Sequence, residues 1–316
     1  MTKENLILRL SNELGNQLFM YAAGYSFAKK LNRNFYIDNE TAFRLKKNIS
    51  SYALDEFNIK GLIAPKSLKF LHINGYLKRK FLLKIDKIKK KKKFYVEHKN
   101  KEKITFFDDK FLENKFSENL FLEGHFESEK YFEKYKNEII DQYDFQLKDF
   151  YSQNKFYNQI LNSNSVAICI RQNRFSEKLR KINSSDINKS KEYSLEQVKY
   201  VKNAIKYIKD KISNPKFFIW SNNFEGLNEF FPSEDFTHIR NDQMLEMGRR
   251  PLLDLFLMTQ AKHFIVIPSS FNWWGAYLSK NKNKIIVRPD QKNFTNFKVN
   301  NLDFWPNHWI KINEKF

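Results

Sequence analysis

The stretch PLLDLFLMTQAKHFIVIPSSFNWWGAYL, Pro251 to Leu278, decides the fold. Leu252, Leu253, Leu255, Phe256 and Met258 recur at near-helical spacing, and Phe264 to Ile267 is the short, mostly β-branched run of a central parallel strand. Pro268 ends that strand, because it carries no N–H for the ladder. Ser269, Ser270 and Asn272 then lead into a second helix with Trp273, Trp274, Gly275 and Ala276. Helix, buried strand, polar turn and helix form a unit of an open α/β sheet, which binds ligands outside the carboxyl ends of its strands. The free N–H groups at the start of the second helix suit an anion. Ser269 and Ser270 read equally well as ordinary N-caps.

Working outward, Val166 to Ile170 is another clean strand, and it delivers Arg171 to a carboxyl end of the sheet. An arginine there can pair bidentately with a phosphate, whereas Arg174 reads as a surface ion-pair partner. Residues Lys178 to Lys191 read as a polar loop, and Tyr193 to Lys211 as a helix with Leu195, Val198, Val201, Ile205 and Ile208 on its apolar face. Phe217 to Trp220 is a buried strand that runs into Ser221, Asn222 and Asn223, and Phe236 to Ile239 and Lys284 to Arg288 are further strands. The aromatic tail from Phe304 to Trp309 either packs back on the body or serves as docking surface. The polar stretch from Gln142 to Ser165 places a domain boundary, predicting one domain over residues 1–160 and another over 161–316.

The first half opens in the same style. Leu6 to Leu10 is a strand, Ser11 to Gln17 a polar turn, and Leu18, Phe19, Tyr21, Ala22, Tyr25 and Ala28 face one side of a helix. Gly15 alone makes no dinucleotide fingerprint; it permits a tight turn. Asn16 and Gln17 either cap the helix or hydrogen-bond sugar hydroxyls or a nucleotide. Phe35 to Asp38 reads as the second strand, while Pro65 to Phe111 is basic and weakly periodic. Within it, Lys84, Lys87 and Lys89 to Lys93 interleave with Phe81, Leu82, Leu83, Ile85, Ile88 and Phe94. That cluster is either a solvated face or a patch for anionic lipid headgroups. Leu120 to Glu127 begins as a strand. Glu123, His125 and Glu127 would share a face if it persisted, but no fourth metal ligand accompanies them.

The 316 residues are 41% hydrophobic, enough for a real core, and carry a formal charge of +20. Such a charge attracts nucleic acid, membrane surfaces or phosphorylated substrates. The lysines lie outside any recognised nucleic-acid reader motif, which argues against nucleic acid as a partner. Cys169 is the single cysteine, excluding an intrachain disulfide and a Cys-rich zinc site. Leu6 to Leu8 is too short for a signal peptide, and no apolar run of about 18 residues occurs. A cytoplasmic protein, soluble or peripheral on the inner face of a bacterial membrane, is the expectation.

Four blocks together resemble the α-1,2-fucosyltransferase family, glycosyltransferase family 11. Asn12 to Gly24 (NELGNQLFMYAAG) resembles the family's GGLGNQMFQYA, and Leu122 to Phe132 (LEGHFESEKYF) its GYxQSxKYF block. Phe217 to Asn223 (FFIWSNN) resembles FxxFSDD. The opening segment resembles the family's block ending NSTFSWWGAWL, with Asp254, Met258, Lys262, His263, Ser269, Phe271, Trp273, Trp274 and Gly275 in place. The resemblance implies a GT-B-like α/β architecture of two Rossmann-like domains facing a cleft, with the acceptor on the first domain and the GDP-sugar on the second. It implies inverting transfer of L-fucose from GDP-fucose, without a metal or other cofactor, to a hydroxyl such as galactoside O2. The acceptor would be an oligosaccharide or lipid-linked glycan of a bacterial surface polysaccharide, as in lipopolysaccharide biosynthesis. By resemblance Arg171 holds the donor's β-phosphate, Asp254, Ser221, Ser269 and Ser270 line the guanine and phosphate parts of the pocket, and Asn16 and Gln17 lie at the cleft.

The chain departs from the family at defined places. Cys169, Gln172 and Arg174 stand where the H-x-R-R-x-D motif has histidine, its second arginine and aspartate; Asn222 and Asn223 replace two aspartates, and Asn12 and Glu13 two glycines. Another GDP-sugar, another linkage, or a binding protein with impaired catalysis are the alternatives these departures open. For the base that deprotonates the acceptor hydroxyl, the candidates are Glu13, at the first turn, and Glu177, after the arginine segment.

Overall fold

The computed structural model describes residues 3–43, 50–102, 104–177, 183–241, 249–298 and 300–312. Two compact units divide the chain: Met1–Gln146 with Leu302–Phe304, and Leu147–Asn301 with Trp305–Phe316. Each is a parallel sheet with helices packed on it.

In the first unit, β1 (Asn5–Arg9), β2 (Asn34–Asp38), β3 (Leu62–Ile63), β4 (Lys92–Val96) and β5 (Phe116–Glu123) form a parallel sheet in the order β3-β2-β1-β5-β4. Leu6, Ile7 and Leu8 are fully buried, the continuous apolar run expected of a strand covered on both faces. Helix α1 (Leu14–Lys30) is buried at every residue from Gln17 to Ala28. Gly24 lets it approach the sheet, since a Cβ there would sit 3.0 Å from the Phe35 ring. Helices α2 (His72–Asp86) and α3 (Lys136–Gln142) complete the unit.

Three expectations change here. Gly15 lies inside α1, and the residue that turns the chain is Asn12, with φ of 62°, a left-handed conformation that asparagine tolerates. Glu123, His125 and Glu127 do not share a strand face: β5 ends at Glu123, and Phe126 is itself left-handed, with φ of 54°. The carboxylate of Glu97 accepts the His125 and Phe126 N–H groups at 2.8 and 3.1 Å and holds that corner. The basic stretch after Pro65 contains α2 and β4, joined where Asp86 accepts the N–H groups of Lys93 and Phe94.

In the second unit, β6 (Asn164–Ile170), β7 (Pro215–Ser221), β8 (Phe236–His238), β9 (His263–Ile265), β10 (Ile286–Arg288) and β11 (Ile310–Lys311) lie in the order β11-β10-β9-β6-β7-β8, all parallel. Among the described residues its α-helices are α4 (Lys148–Tyr151), α5 (Tyr157–Leu161), α6 (Ser184–Lys211), α7 (Arg250–Thr259) and α8 (Ser270–Leu278). Val166, Ile168, Val201, Ile205, Ile219 and Ile265 centre its core.

The division falls after Gln146 rather than after residue 160, because α4 and α5 pack with the second unit. The rings of Tyr151 and Tyr157 lie 5.6 and 5.8 Å from that of Phe256. The tail is shared: Phe304 packs on Phe19 in the first unit, and Trp309 on Trp273 in the second. The polar loop expected up to Lys191 gives way to helix at Ser184, where Asn183 caps by accepting the Asp186 N–H at 2.8 Å; residues 178–182 lie outside the described residues.

Two expected outcomes test this packing. A Cβ at Gly275 would overlap Met258, so Gly275→Ala lowers stability by about 1–3 kcal/mol, and pairing it with Met258→Ala gives less than the sum of the two single losses in thermal denaturation. His263 is buried and its Nδ1 accepts the Ile285 N–H at 3.1 Å, which requires the neutral ring. Burial first, then Lys262, lowers its pKa from the ordinary 6.5. The unfolded chain therefore binds the extra proton, and this contribution to stability is complete above pH 6.5 and lost as pH falls below it. The decline in Tm from neutral to mildly acidic pH becomes shallower in His263→Asn.

Candidate active site

In the second unit the chain runs outward from β6 through β7 to β8, then returns to β9 and runs the other way through β10 to β11. The topological switch point lies between β6 and β9, and open α/β sheets bind ligands at the carboxyl ends of the strands at such a point. Arg171 follows β6, and Ser269 and Ser270 follow β9 at the start of α8.

The backbone of Arg171 is fixed by a side chain from α6. Its N–H donates to Gln197 Oε1 at 2.9 Å, and Gln197 Nε2 donates back to its carbonyl at 2.8 Å. Gln197 is fully buried, so the carboxyl end of β6 has little freedom. The Arg171 guanidinium donates from Nη2 to Glu177 Oε1 at 2.5 Å, with about a fifth of each side chain exposed. Glu177 is thus the counter-ion of Arg171.

Ser269 occupies the N-cap position of α8, but its side chain makes no capping bond. One turn on, Asn272 is buried beside the Cys169 thiol, with its side chain within hydrogen-bonding reach of the sulfur. The Cys169 thiol lies near Asn272, Asp254 and Arg171, and burial pushes its pKa up to about 12. It is therefore a neutral thiol at physiological pH.

The loops after β6 and β7 are joined by amides. Gln172 N–H donates to Asn222 Oδ1 at 2.8 Å, and Asn222 Nδ2 donates to the Gln172 carbonyl at 2.9 Å. Gln172 Nε2 reaches the carbonyls of Asn223 and Glu225. The Ser221 hydroxyl bonds within this turn, to the Asn223 backbone. Beside it, Asp254 accepts from Asn241 Nδ2 at 2.6 Å and from Arg250 Nε at 3.4 Å, while Arg250 Nη2 donates to the Ser221 carbonyl at 3.1 Å. Asn222, Asn223, Phe224, Glu225, Arg240 and Arg250 line a pocket of about 330 Å³ here.

Glu13, Asn16 and Gln17 belong to the first unit, whose own switch point lies between β1 and β5. Glu13 is exposed at the start of α1 and Asn16 is half-buried on its first turn. Gln17 is fully buried: Nε2 donates to the carbonyls of Asn12 and Ser51, and Oε1 accepts the Ala53 N–H. Its amide ties two loops to α1 and does not cap the helix. At the same strand ends Asn12 Nδ2 lies 2.7 Å from His125 Nε2.

Arg171, Glu177, Ser221, Asp254, Ser269 and Ser270 thus gather at strand ends of one sheet. Sequence reasoning missed Gln197, Asn241 and Arg250. Gln197 does leave a signal, a glutamine at a buried position of an otherwise apolar helix face; Arg250 stands four residues before Asp254, the spacing of a helical ion pair. Among the described residues, no group of three His, Cys, Asp or Glu side chains is placed to hold a metal ion.

Two Rossmann-like units, the second with an arginine after β6 and a helix N-terminus after β9 on either side of its switch point, make a GT-B-like fold. The chain belongs to glycosyl transferase family 11, whose model matches residues 6–313. It is 25% identical to an α-1,2-colitosyltransferase of Escherichia coli, over 97% of this chain and 98% of that one. It is also 25% identical to the O-antigen biosynthesis glycosyltransferase WbnK of Escherichia coli, over 89% and 92% of the two chains. The structure of NodZ from Bradyrhizobium, an α-1,6-fucosyltransferase soaked with GDP-fucose, has the same fold: TM-score 0.55, 16% identity, over 92% of this chain and 97% of that one. The protein is accordingly an enzyme, a glycosyltransferase.

Glu177→Gln separates two readings of that carboxylate. As the counter-ion of Arg171, its neutralisation tightens GDP binding roughly 3- to 10-fold in calorimetry, the scale of one partly exposed ion pair. Unchanged GDP affinity with transfer abolished would make it the base instead.

Proposed function

We propose that this enzyme moves L-fucose from GDP-fucose, with inversion, to a hydroxyl of a bacterial surface-glycan acceptor, O2 of a galactoside. The observation that carries the reading is the placement of Arg171 at the β6/β9 switch point, beside the start of α8. The acceptor oxygen attacks the anomeric carbon from the face opposite the diphosphate. The bond from that carbon to the β-phosphate oxygen breaks, and GDP leaves with the electron pair. Arg171 and the first N–H groups of α8 stabilise the charge that develops on the leaving group, and cationic clamping of this kind does the work a divalent ion does elsewhere. Asp254, fixed by Asn241 and Arg250, sits beside the pocket assigned to the nucleoside end. The proton of the acceptor hydroxyl passes to one of the two candidate bases, Glu13 or Glu177.

A second reading has the same chemistry with colitose, the 3-deoxy counterpart of L-fucose, as the transferred sugar. Two observations favour it: the name of the α-1,2-colitosyltransferase relative, and the meeting of two departures from the family pattern at one corner. Gln172 and Asn222, which replace an arginine and an aspartate, bond to each other. Neutral amides stand at both positions, and the exchange of charged for neutral groups alters which sugar hydroxyls are matched.

A panel of GDP-sugars against galactoside acceptors, with linkage analysis of the product, decides between them. GDP-fucose with an α-1,2 product is the expected outcome, and Arg171→Ala lowers kcat/KM by roughly 10²- to 10³-fold, with Arg171→Lys recovering only part. Turnover with another sugar alone would replace fucose by that sugar; GDP binding without any turnover would defeat both readings.

A further inference from the structure

Helix α2 has two apolar faces, and only one is covered. Leu82 and Leu83 pack on the cluster formed by Ile7, Phe70, Phe94 and Phe121. On successive turns of the opposite side, Ile73, Leu77 and Phe81 are 77%, 57% and 64% exposed, and Ile88, just past the helix, is 87% exposed. Tyr76 is also exposed, with Lys80 Nζ 4.5 Å from its ring centre. Lys78, Lys80, Lys84, Lys87, Lys89, Lys90 and Lys91 surround these side chains and are exposed. Asp86, the sole acid between residues 72 and 95, is buried and bonded to backbone N–H groups, so no carboxylate within the stretch offsets the lysines.

A solvated lysine face does not need three large apolar side chains standing in water at helical spacing. Nor does the face suit a second copy of itself, since pairing would bring two lysine collars together. Apolar side chains on one face of a helix with a basic rim match the interface of an anionic bilayer, where hydrocarbon and phosphate lie a few ångströms apart. We propose that α2, with the segment to Lys91, docks the enzyme on an anionic membrane surface. Ile73, Leu77 and Phe81 enter the headgroup boundary while the lysines hold lipid phosphates. Among the described residues no helix is long and apolar enough to cross a membrane, so the contact lies along the surface.

Co-sedimentation of the full chain with phosphatidylcholine vesicles, with and without phosphatidylglycerol, tests this at low and high salt. Binding is expected only with phosphatidylglycerol. It weakens about tenfold or more in Leu77→Ser/Phe81→Ser and likewise in Lys80→Glu/Lys84→Glu, with thermal stability unchanged because all four side chains are exposed. In Phe81→Trp, which keeps an apolar ring at the face, added anionic vesicles shift the new emission to the blue. Three results would overturn the proposal. One is no vesicle binding. Another is salt-sensitive binding that the serine variant leaves intact, which is general adsorption of a chain of charge +20. The third is concentration-dependent self-association that the serine variant abolishes, which makes the face a protein interface.

Discussion

The paired hydrogen bonds between Gln197 and the backbone of Arg171 are the constraint on which the proposed site depends. An arginine at the end of a parallel strand is useful only if the strand end stays where the neighbouring helix N-terminus needs it. A buried amide that satisfies both the N–H and the C=O of that residue secures it, since breaking either bond leaves a buried polar group unpaired. The same helix reaches the next turn through Ser190, whose hydroxyl accepts the Phe175 N–H at 3.0 Å. The long α6 is therefore both a sheet-covering helix and a clamp on the loop that carries Arg171 and Glu177.

The departures from the family pattern acquire a physical sense from this frame. Asn12 stands where the backbone must be left-handed, a conformation that glycine adopts freely and asparagine tolerates, and its amide meets His125. Asn222 bonds both backbone groups of Gln172, and the Gln172 amide reaches the carbonyls of Asn223 and Glu225, so the loops after β6 and β7 are joined without charged groups. Cys169 replaces a histidine beside Asn272, and its thiol is neutral. Arg171, proposed to hold the phosphate, is kept, and the neighbouring corner carries the changes.

Much of this was legible in the chain. β1, β6, β7 and β9 are strands with both faces covered, and such strands appear as unbroken runs such as Leu6 to Leu8 and Val166 to Ile170. Arg171 was legible because it directly follows one of them. The start of α6 was not, because its inward residues there are Ser190, Tyr193 and Gln197 rather than aliphatics, so the periodic signal begins late. Helix α2 was obscured for the opposite reason: apolar side chains occur on both its covered and its exposed faces, which erases the contrast that periodicity measures. Gln17 resembles a ligand-binding amide in the sequence, and only the folded loops show that Asn12, Ser51 and Ala53 occupy it.

The roles assigned to Arg171 and the start of α8 concern one place, the switch point between β6 and β9. The most direct measurement is a crystal structure of the enzyme with GDP. The β-phosphate is predicted to lie within hydrogen-bonding distance of the Arg171 guanidinium and the first N–H groups of α8, with Glu177 released from the arginine. A diphosphate bound elsewhere, with the Arg171–Glu177 pair intact, would contradict the account.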